Sequence, residues 1–449
     1  MLFSLAAIWY LTLRNGLLCQ ASSSASNDLA KDFPLPEIQR FWGSYTPYFS
    51  AQPYTPPPSN CRISQVNIIQ RHGARFPTSG ATTRIKVAIK KLQSATHYTD
   101  LPLAFLVNYT YSLGKDNLVP FGALQSTEAG EITFKRYQQL ISQDNLPFVR
   151  SSSGQRVVDS ATNWTAGFSF ASGHVYNPTL SVILSEDLND TLDDAMCPNA
   201  GSSDLQTDAW NAIYGAPIAE RLNAQAPGAN LVAADISNLI PLCAFESIAQ
   251  NATSPFCALF TPAEFAQFEY FADLDKYYGT GYGQALGPVQ GVGYINELLA
   301  RLTGKPVSDN TQTNRTLDAS PVTFPLDRTL YADFSHDNQM VAIYAALGLF
   351  NQSTPLDPTM PDPKRTWITS RLTPFSGRMV TERLSCRKKG SGGHLVKSGE
   401  YVRILVNDAL QPLTFCAADK HGLCTLSNFV RSQGYAINNG EGDFEKCFA

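Results

Sequence analysis

The sequence predicts an α/β fold, a large α/β sandwich with a smaller α-helical domain inserted into it. Three observations carry that expectation. Apolar strand patterns, Ile63 to Gln70 and Thr329 to Phe334, run into charged loops near the two ends of the chain. Helical spacing follows each loop. Between them, from Trp210 to Leu302, apolar residues recur at three- and four-residue intervals. Strand–helix alternation on either side of a helical centre is the pattern of an interrupted α/β domain.

Taken in order, the run Met1 to Leu13 is too short to span a bilayer and is broken by Arg14 and Asn15. With Cys19-Gln20-Ala21 behind it, segment 1–21 reads as a secretory signal cut near Ala21. Segment 22–60 is an extended arm, because Pro34, Pro36 and Pro56-Pro57-Pro58 oppose helix. Its aromatics Phe41, Trp42, Tyr45, Tyr48 and Phe49 would dock it on the body. The α/β domain is expected to draw on 61–80, 145–190 and 320–449, and the helical insertion on 81–144 and 191–319. A helix is expected over 83–93, a strand ending in Pro147–Ser152, a helix over 156–172 and a strand over 180–184. The insertion should hold helices over 210–226, 231–248, 262–278 and 292–302. Thr261-Pro262-Ala263-Glu264 is a capping box with proline at the first helical position, and Gly304 suits a left-handed C-cap. A helix over 339–347 and strands over 401–406 and 412–415 complete the pattern.

The 449 residues are 43% hydrophobic and 16% charged, a composition that excludes disorder for want of a core. A net charge of −4 without a long basic run argues against nucleic acid as partner. No segment reaches transmembrane length, so no membrane partner is expected, and a monomer is. Nine cysteines include Cys19; the remaining eight, Cys61, Cys197, Cys243, Cys257, Cys386, Cys416, Cys424 and Cys447, suit four disulfides in an oxidising compartment. No Cys-x-x-Cys exists, and neither metal nor cofactor is expected. Asn-x-Ser/Thr sequons at Asn108, Asn163, Asn189, Asn251, Asn314 and Asn351 fit a secreted, extracellular glycoprotein.

The chemistry concentrates in Arg71-His72-Gly73-Ala74-Arg75-Phe76-Pro77-Thr78, directly after the first strand. Guanidinium forks match phosphate oxygens, and histidine serves as nucleophile or base. Ligands of open α/β sheets sit beyond the carboxyl ends of the strands. Arg150 and His336-Asp337 are placed at such ends too. Together these segments offer three guanidiniums, two imidazoles and a carboxylate, a set suited to covalent phosphoryl transfer. Plainer roles exist: Arg150 as partner of a carboxylate, His336 as a core histidine, Asp337 as a helix N-cap.

These residues resemble the histidine acid phosphatases, whose RHGxRxP signature matches Arg71–Pro77 and whose HD motif matches His336-Asp337. Within that family the chain is similar to fungal phytases, especially the basidiomycete type, through 65–70, 148–150, 273–279, 287–294 and 333–337. The resemblance implies the histidine phosphatase fold and a two-step hydrolysis without metal. In it, His72 is the nucleophile that forms a phosphohistidine and Asp337 protonates the leaving alcohol. Arg71, Arg75, Arg150, His336 and Thr78 are the implied substrate-binding residues. It also implies the pairings Cys61–Cys386, Cys197–Cys447, Cys243–Cys257 and Cys416–Cys424. The implied substrate is the polyanion myo-inositol hexakisphosphate (phytate), attacked first at the 6-position. A broad-specificity acid phosphatase is the alternative, and a catalytically dead secreted binding protein a third reading. One departure stands out. Ascomycete phytases carry lysine directly after the signature, where this chain has Thr78–Arg84, with Lys86, Lys90 and Lys91 further on.

Overall fold

The computed structural model describes residues 37–389 and 395–449; the expected signal 1–21 and the first part of the arm lie outside them. An eight-stranded mixed sheet forms the centre. Strands β1 (Cys61–Arg71), β2 (Phe148–Ser152), β3 (Leu180–Leu184) and β4 (Leu330–Ser335) run parallel in the order β3-β2-β4-β1. On the far side of β1, antiparallel β5 (Arg378–Lys389), β6 (Leu395–Val406) and β7 (Ala409–Leu410) extend the sheet, and β8 (Cys424–Thr425) pairs with β6.

Alternation along β1 feeds two layers. Val66 and Ile68 pack with Val157, Trp164 and Phe168 on one face, whereas Ile69 joins the cluster holding Tyr294 and Met340 on the other. Helix α1 (Ser79–Gln93) follows the signature loop, and α2 (Pro120–Tyr137) crosses α3 (Gln155–Ala171) beside the sheet. A Cβ on Gly130 would lie 2.1 Å from Trp164 O, and one on Gly167 1.9 Å from Thr127 O. Those glycines therefore set how closely the two helices meet. The sequence reading passes over α2 because its buried residues, Tyr137 at its end apart, are Gly122, Gln125, Ser126, Ala129, Gly130 and Thr133, which form no apolar stripe.

The helical part contains α4 (Asp204–Gln225), α5 (Ala233–Leu239), α6 (Pro241–Gln250), α7 (Pro262–Gly279) and α8 (Val292–Thr303). The single helix expected over 231–248 is thus two, the second starting at Pro241, whose missing N–H suits a first-turn position. The Thr261–Glu264 capping box forms, and Gly304 closes α8 at φ 66°. No described helix is long and apolar enough to cross a membrane. Toward the carboxyl end come α9 (Arg315–Asp318), α10 (Asp337–Leu347), α11 (Thr369–Leu372), α12 (Leu426–Ser432), α13 (Gly434–Ile437) and α14 (Asp443–Lys446).

Two strand expectations change. Segment 412–415 is not a strand; a 3-10 turn over Thr414–Cys416 occupies it, followed by the Cys416–Cys424 disulfide. Strand β5 was not expected, because charges break its apolar pattern. Glu382 is fully buried, yet it pairs with Arg403 at 2.5 Å and accepts from Tyr137 Oη at 2.7 Å. All four implied disulfides form, Cys61–Cys386 joining β1 to β5. The described arm docks through buried Trp42 and Phe49, though it makes short 3-10 turns over Ile38–Phe41 and Gly43–Tyr45.

Candidate active site

Strands β1 and β4 are parallel neighbours with Arg71 opposite Ser335, so their carboxyl ends deliver Arg71-His72 and His336-Asp337 side by side. Beyond them opens a cleft of about 280 Å³ lined by Arg75, Thr78, Arg156, Lys276, His336 and Asp337, with Asp193 and Asp194 on its wall. Arg156 lies in the first turn of α3 and Asp337 in that of α10, where unpaired backbone N–H groups favour an anion. Thr78 caps α1, its hydroxyl accepting from Ala81 N at 3.3 Å.

His72 is 1% exposed and stands 5.7 Å, ring to ring, from His336. Its Nδ1 lies 2.8 Å from Gly73 O, an arrangement that assigns the proton to Nδ1 and leaves a lone pair on Nε2. Burial, then Arg71, Arg75 and Arg156, hold the ring well below the ordinary imidazole range. The ring therefore stays neutral in acid, with a lone pair of the kind a nucleophile needs. Gly73 is required here, since a Cβ would sit 2.1 Å from Gly122 O at the start of α2.

Arg71 is fully buried. It donates to Ser44 O and, at 2.8 Å, to Thr373 O, and its Nη2 points at Asp337 Oδ2 from 3.2 Å. Lys276 meets the same carboxylate oxygen at 3.1 Å. Burial alone would raise the Asp337 carboxyl, but Arg71 and Lys276, with Arg75 behind them, outweigh it and hold it well below the carboxylate range. Asp337 occupies the first position of α10, and His336 is the N-cap residue. Arg75 lines the cleft and donates from Nη1 to Phe76 O at 2.9 Å. His336 is held on both nitrogens, Nε2 being 3.0 Å from Glu186 Oε1 and Nδ1 3.1 Å from Arg156 Nη2.

Arg150 is not brought to the cleft. It lies inside β2, 1% exposed, with Nη1 and Nη2 on the two oxygens of Glu297 at 3.0 and 2.6 Å and Nε on Asp333 at 2.8 Å. A strand-interior side chain points into a packed face of the sheet, so the expected ligand position falls one loop later. Arg156 supplies the third guanidinium, and Lys276 on α7 a further cation; the sequence reading missed both. The signal for Arg156 was its place just past the strand end. Lys276 comes from a distant helix, and its stretch 273–279 marked the family resemblance without pointing to the site. Lys86 lies over the Tyr111 ring at 5.0 Å and Lys91 pairs with Asp235 at 2.6 Å, so neither enters the cleft. Glu186, Asp193 and His336 bring ligand atoms within 4.8 Å of one another, a grouping able to hold a metal ion. Of the sequons, Asn108, Asn189, Asn251 and Asn351 are exposed, whereas Asn163 in α3 and Asn314, the N-cap of α9, are half-buried.

Residues 62–407 match the Histidine phosphatase superfamily (branch 2). The chain is 41% identical to Phytase A of Aspergillus terreus, over 92% of this chain and 91% of that one. Phytase A of Emericella nidulans is 39% identical over the same shares of the two chains. Among solved structures, the phytase from D. castellii aligns with a TM-score of 0.72 at 24% identity, over 89% of this chain and 85% of its own. The Bifidobacterium longum multiple inositol polyphosphate phosphatase complexed with inositol hexasulfate aligns at 0.65 and 15% identity, over 89% and 98%.

Proposed function

The chain belongs to branch 2 of the histidine phosphatase superfamily, and from that premise we propose that it is a phytase. It hydrolyses myo-inositol hexakisphosphate to lower inositol phosphates and orthophosphate in acid. The observation that carries this reading is a buried His72, its Nδ1 on Gly73 O and its Nε2 left with a lone pair, 5.7 Å ring to ring from His336, which lines one cleft with Arg75, Arg156, Lys276 and Asp337.

The geometry supports two steps. In the first, His72 Nε2 attacks phosphorus and forms an N–P bond while the ester P–O bond breaks; the alkoxide oxygen takes a proton from Asp337. In the second, water attacks the phosphohistidine, its proton goes to Asp337, and the N–P bond breaks to release phosphate and restore neutral His72. Asp337 is ionised in the empty cleft. A phosphate among Arg75, Arg156 and Lys276 cancels charge that holds the carboxyl down, so Asp337 gains proton affinity as substrate binds. Arginine donors then stabilise the equatorial oxygens of the transferring group.

Secretion, glycosylation and a monomeric state belong to the same proposal, supported by four disulfides and the exposed sequons. Attack begins at the 6-position. The assay is phosphate release from phytate at about pH 5, with the inositol pentakisphosphate isomers resolved and p-nitrophenyl phosphate run beside it. Robust release with one dominant isomer is expected. Hydrolysis of the small ester alone would make the chain a broad acid phosphatase, the reading favoured by a cleft with no lysine from 86–91.

A further inference from the structure

Behind His336 lies a carboxylate with no part in the steps above. Glu186 follows β3, and one of its oxygens, Oε1, gathers three donors: His336 Nε2 at 3.0 Å, Ser152 Oγ at 2.8 Å and Gly154 N at 2.8 Å. Its own N–H donates to Ser153 Oγ at 3.1 Å, so the residue is tied to the loop between β2 and α3 from both ends. Gly154 makes room for this contact; a Cβ there would sit 2.7 Å from Glu186 Oε1 and 3.4 Å from His336 Cε1. The hydrogen bond from His336, opposed by burial and aided by Ser152, brings the Glu186 carboxyl down to about 2, which keeps it an acceptor across the acid range.

An acceptor at Nε2 fixes the ring. A guanidinium only donates, so Arg156 Nη2 at 3.1 Å calls for the lone pair on Nδ1 and the ring proton on Nε2, where Glu186 accepts it. The opposite tautomer would set two N–H groups against each other. We propose that Glu186 is a positioning residue which, through His336, aims the Arg156 guanidinium into the phosphate cradle. The inference rests on the phosphatase reading only in that the cradle must hold phosphate. Hydrogen-bonded partners behind a functional histidine commonly set its orientation in this way.

Inorganic phosphate binding, measured by titration calorimetry at pH 5, reads the cradle without turnover. Rates on p-nitrophenyl phosphate add the separation of KM from kcat. Glu186→Ala should weaken phosphate binding at least tenfold and raise KM by a similar factor. Glu186→Gln keeps an oxygen acceptor at the same place and should stay within about threefold of the parent. In the Arg156→Ala background, adding Glu186→Ala should cost less than twofold more, because the group it aims is gone. Three results would overturn the proposal: unchanged phosphate affinity in Glu186→Ala, equal losses in the Ala and Gln variants, or full additivity with Arg156→Ala. The first would also follow if Asp193, whose Oδ1 is 3.6 Å from the same nitrogen, held the ring instead. Failure of the phytase reading looks different, since phosphate would bind and respond to these variants while phytate went untouched.

Discussion

Separate replacement of Arg150 and Arg156 by alanine tests which arginine builds the sheet and which serves the cleft. Arg150 joins β2 to Glu297 on α8 and Asp333 on β4, all three at most 1% exposed. Removing it leaves Glu297 with a hydrogen bond from Thr191 Oγ1 at 2.9 Å, and Asp333 with Arg301. Breaking a buried pair costs about 3–5 kcal/mol. Unfolding entropy near 2.1 cal/mol/K per residue gives about 0.9 kcal/mol/K for a chain of this length, so Tm should fall by about 3–5 °C. Activity well below the transition should stay within about threefold. Arg156 is half-buried, and among the described residues its side chain hydrogen-bonds His336, so Arg156→Ala should shift Tm by less than about 1 °C. Loss of one donor to the transferring phosphoryl group should lower kcat/KM by about 10²–10³. Scanning calorimetry and initial rates on p-nitrophenyl phosphate read both quantities. An Arg150→Ala protein with unchanged Tm and a hundredfold lower rate would refute the assignment.

His72→Ala should abolish turnover of every phosphomonoester, and retention of the parent rate would refute the phosphohistidine route. Asp337→Asn should slow phytate, with its poor alkoxide leaving group, at least tenfold more than p-nitrophenyl phosphate; equal slowing would remove Asp337 as the acid. Asp194 lines the cleft, and burial followed by Asp193 pushes its carboxyl up to about 6. It loses its proton as pH rises through that value and then repels phosphate, so KM for phytate should climb between pH 5 and 7, and Asp194→Asn should flatten the climb. Glu269 on α7, where burial and Asp273 push the carboxyl up to about 8, binds a proton more tightly folded than unfolded. Its contribution is complete below the unfolded value near 4.5 and is lost as pH rises to about 8. Tm should therefore fall across that window, and Glu269→Gln should lessen the slope, as scanning calorimetry over pH would show.

The fold was legible wherever apolar residues kept a clean period, as in β1, β4, α7 and α8. It was hidden where packing used other means. In α2, small residues let helices approach closely, and in β5 the buried Glu382, paired with Arg403, stands where the pattern wants an apolar side chain. The two segments that carry the proposed catalytic residues were readable because each continues a strand without interruption. Arg150 misled because a strand-end reading cannot tell the last residue inside the sheet from the first beyond it. Lys276 and Glu186 join the site only through tertiary folding, from α7 and the turn after β3, and neighbours in sequence say nothing of either.

The charge arrangement links scaffold to chemistry. Arg71, Arg75, Arg156 and Lys276 crowd one end of the sheet, and an empty cleft of four cations would repel itself. Asp337 relieves that repulsion by lying between Arg71 and Lys276, at 3.2 and 3.1 Å. In that state it is a poor proton donor. Phosphate entering the cleft takes over the neutralising role, and the same carboxyl becomes free to hold a proton. In the proposed mechanism the substrate's own charge thus arms the acid that its leaving group needs, and it does so only when the phosphoryl group is seated beside His72. A cation removed from this set would weaken binding and, by loosening the hold on Asp337, blur the difference between the empty and the loaded site.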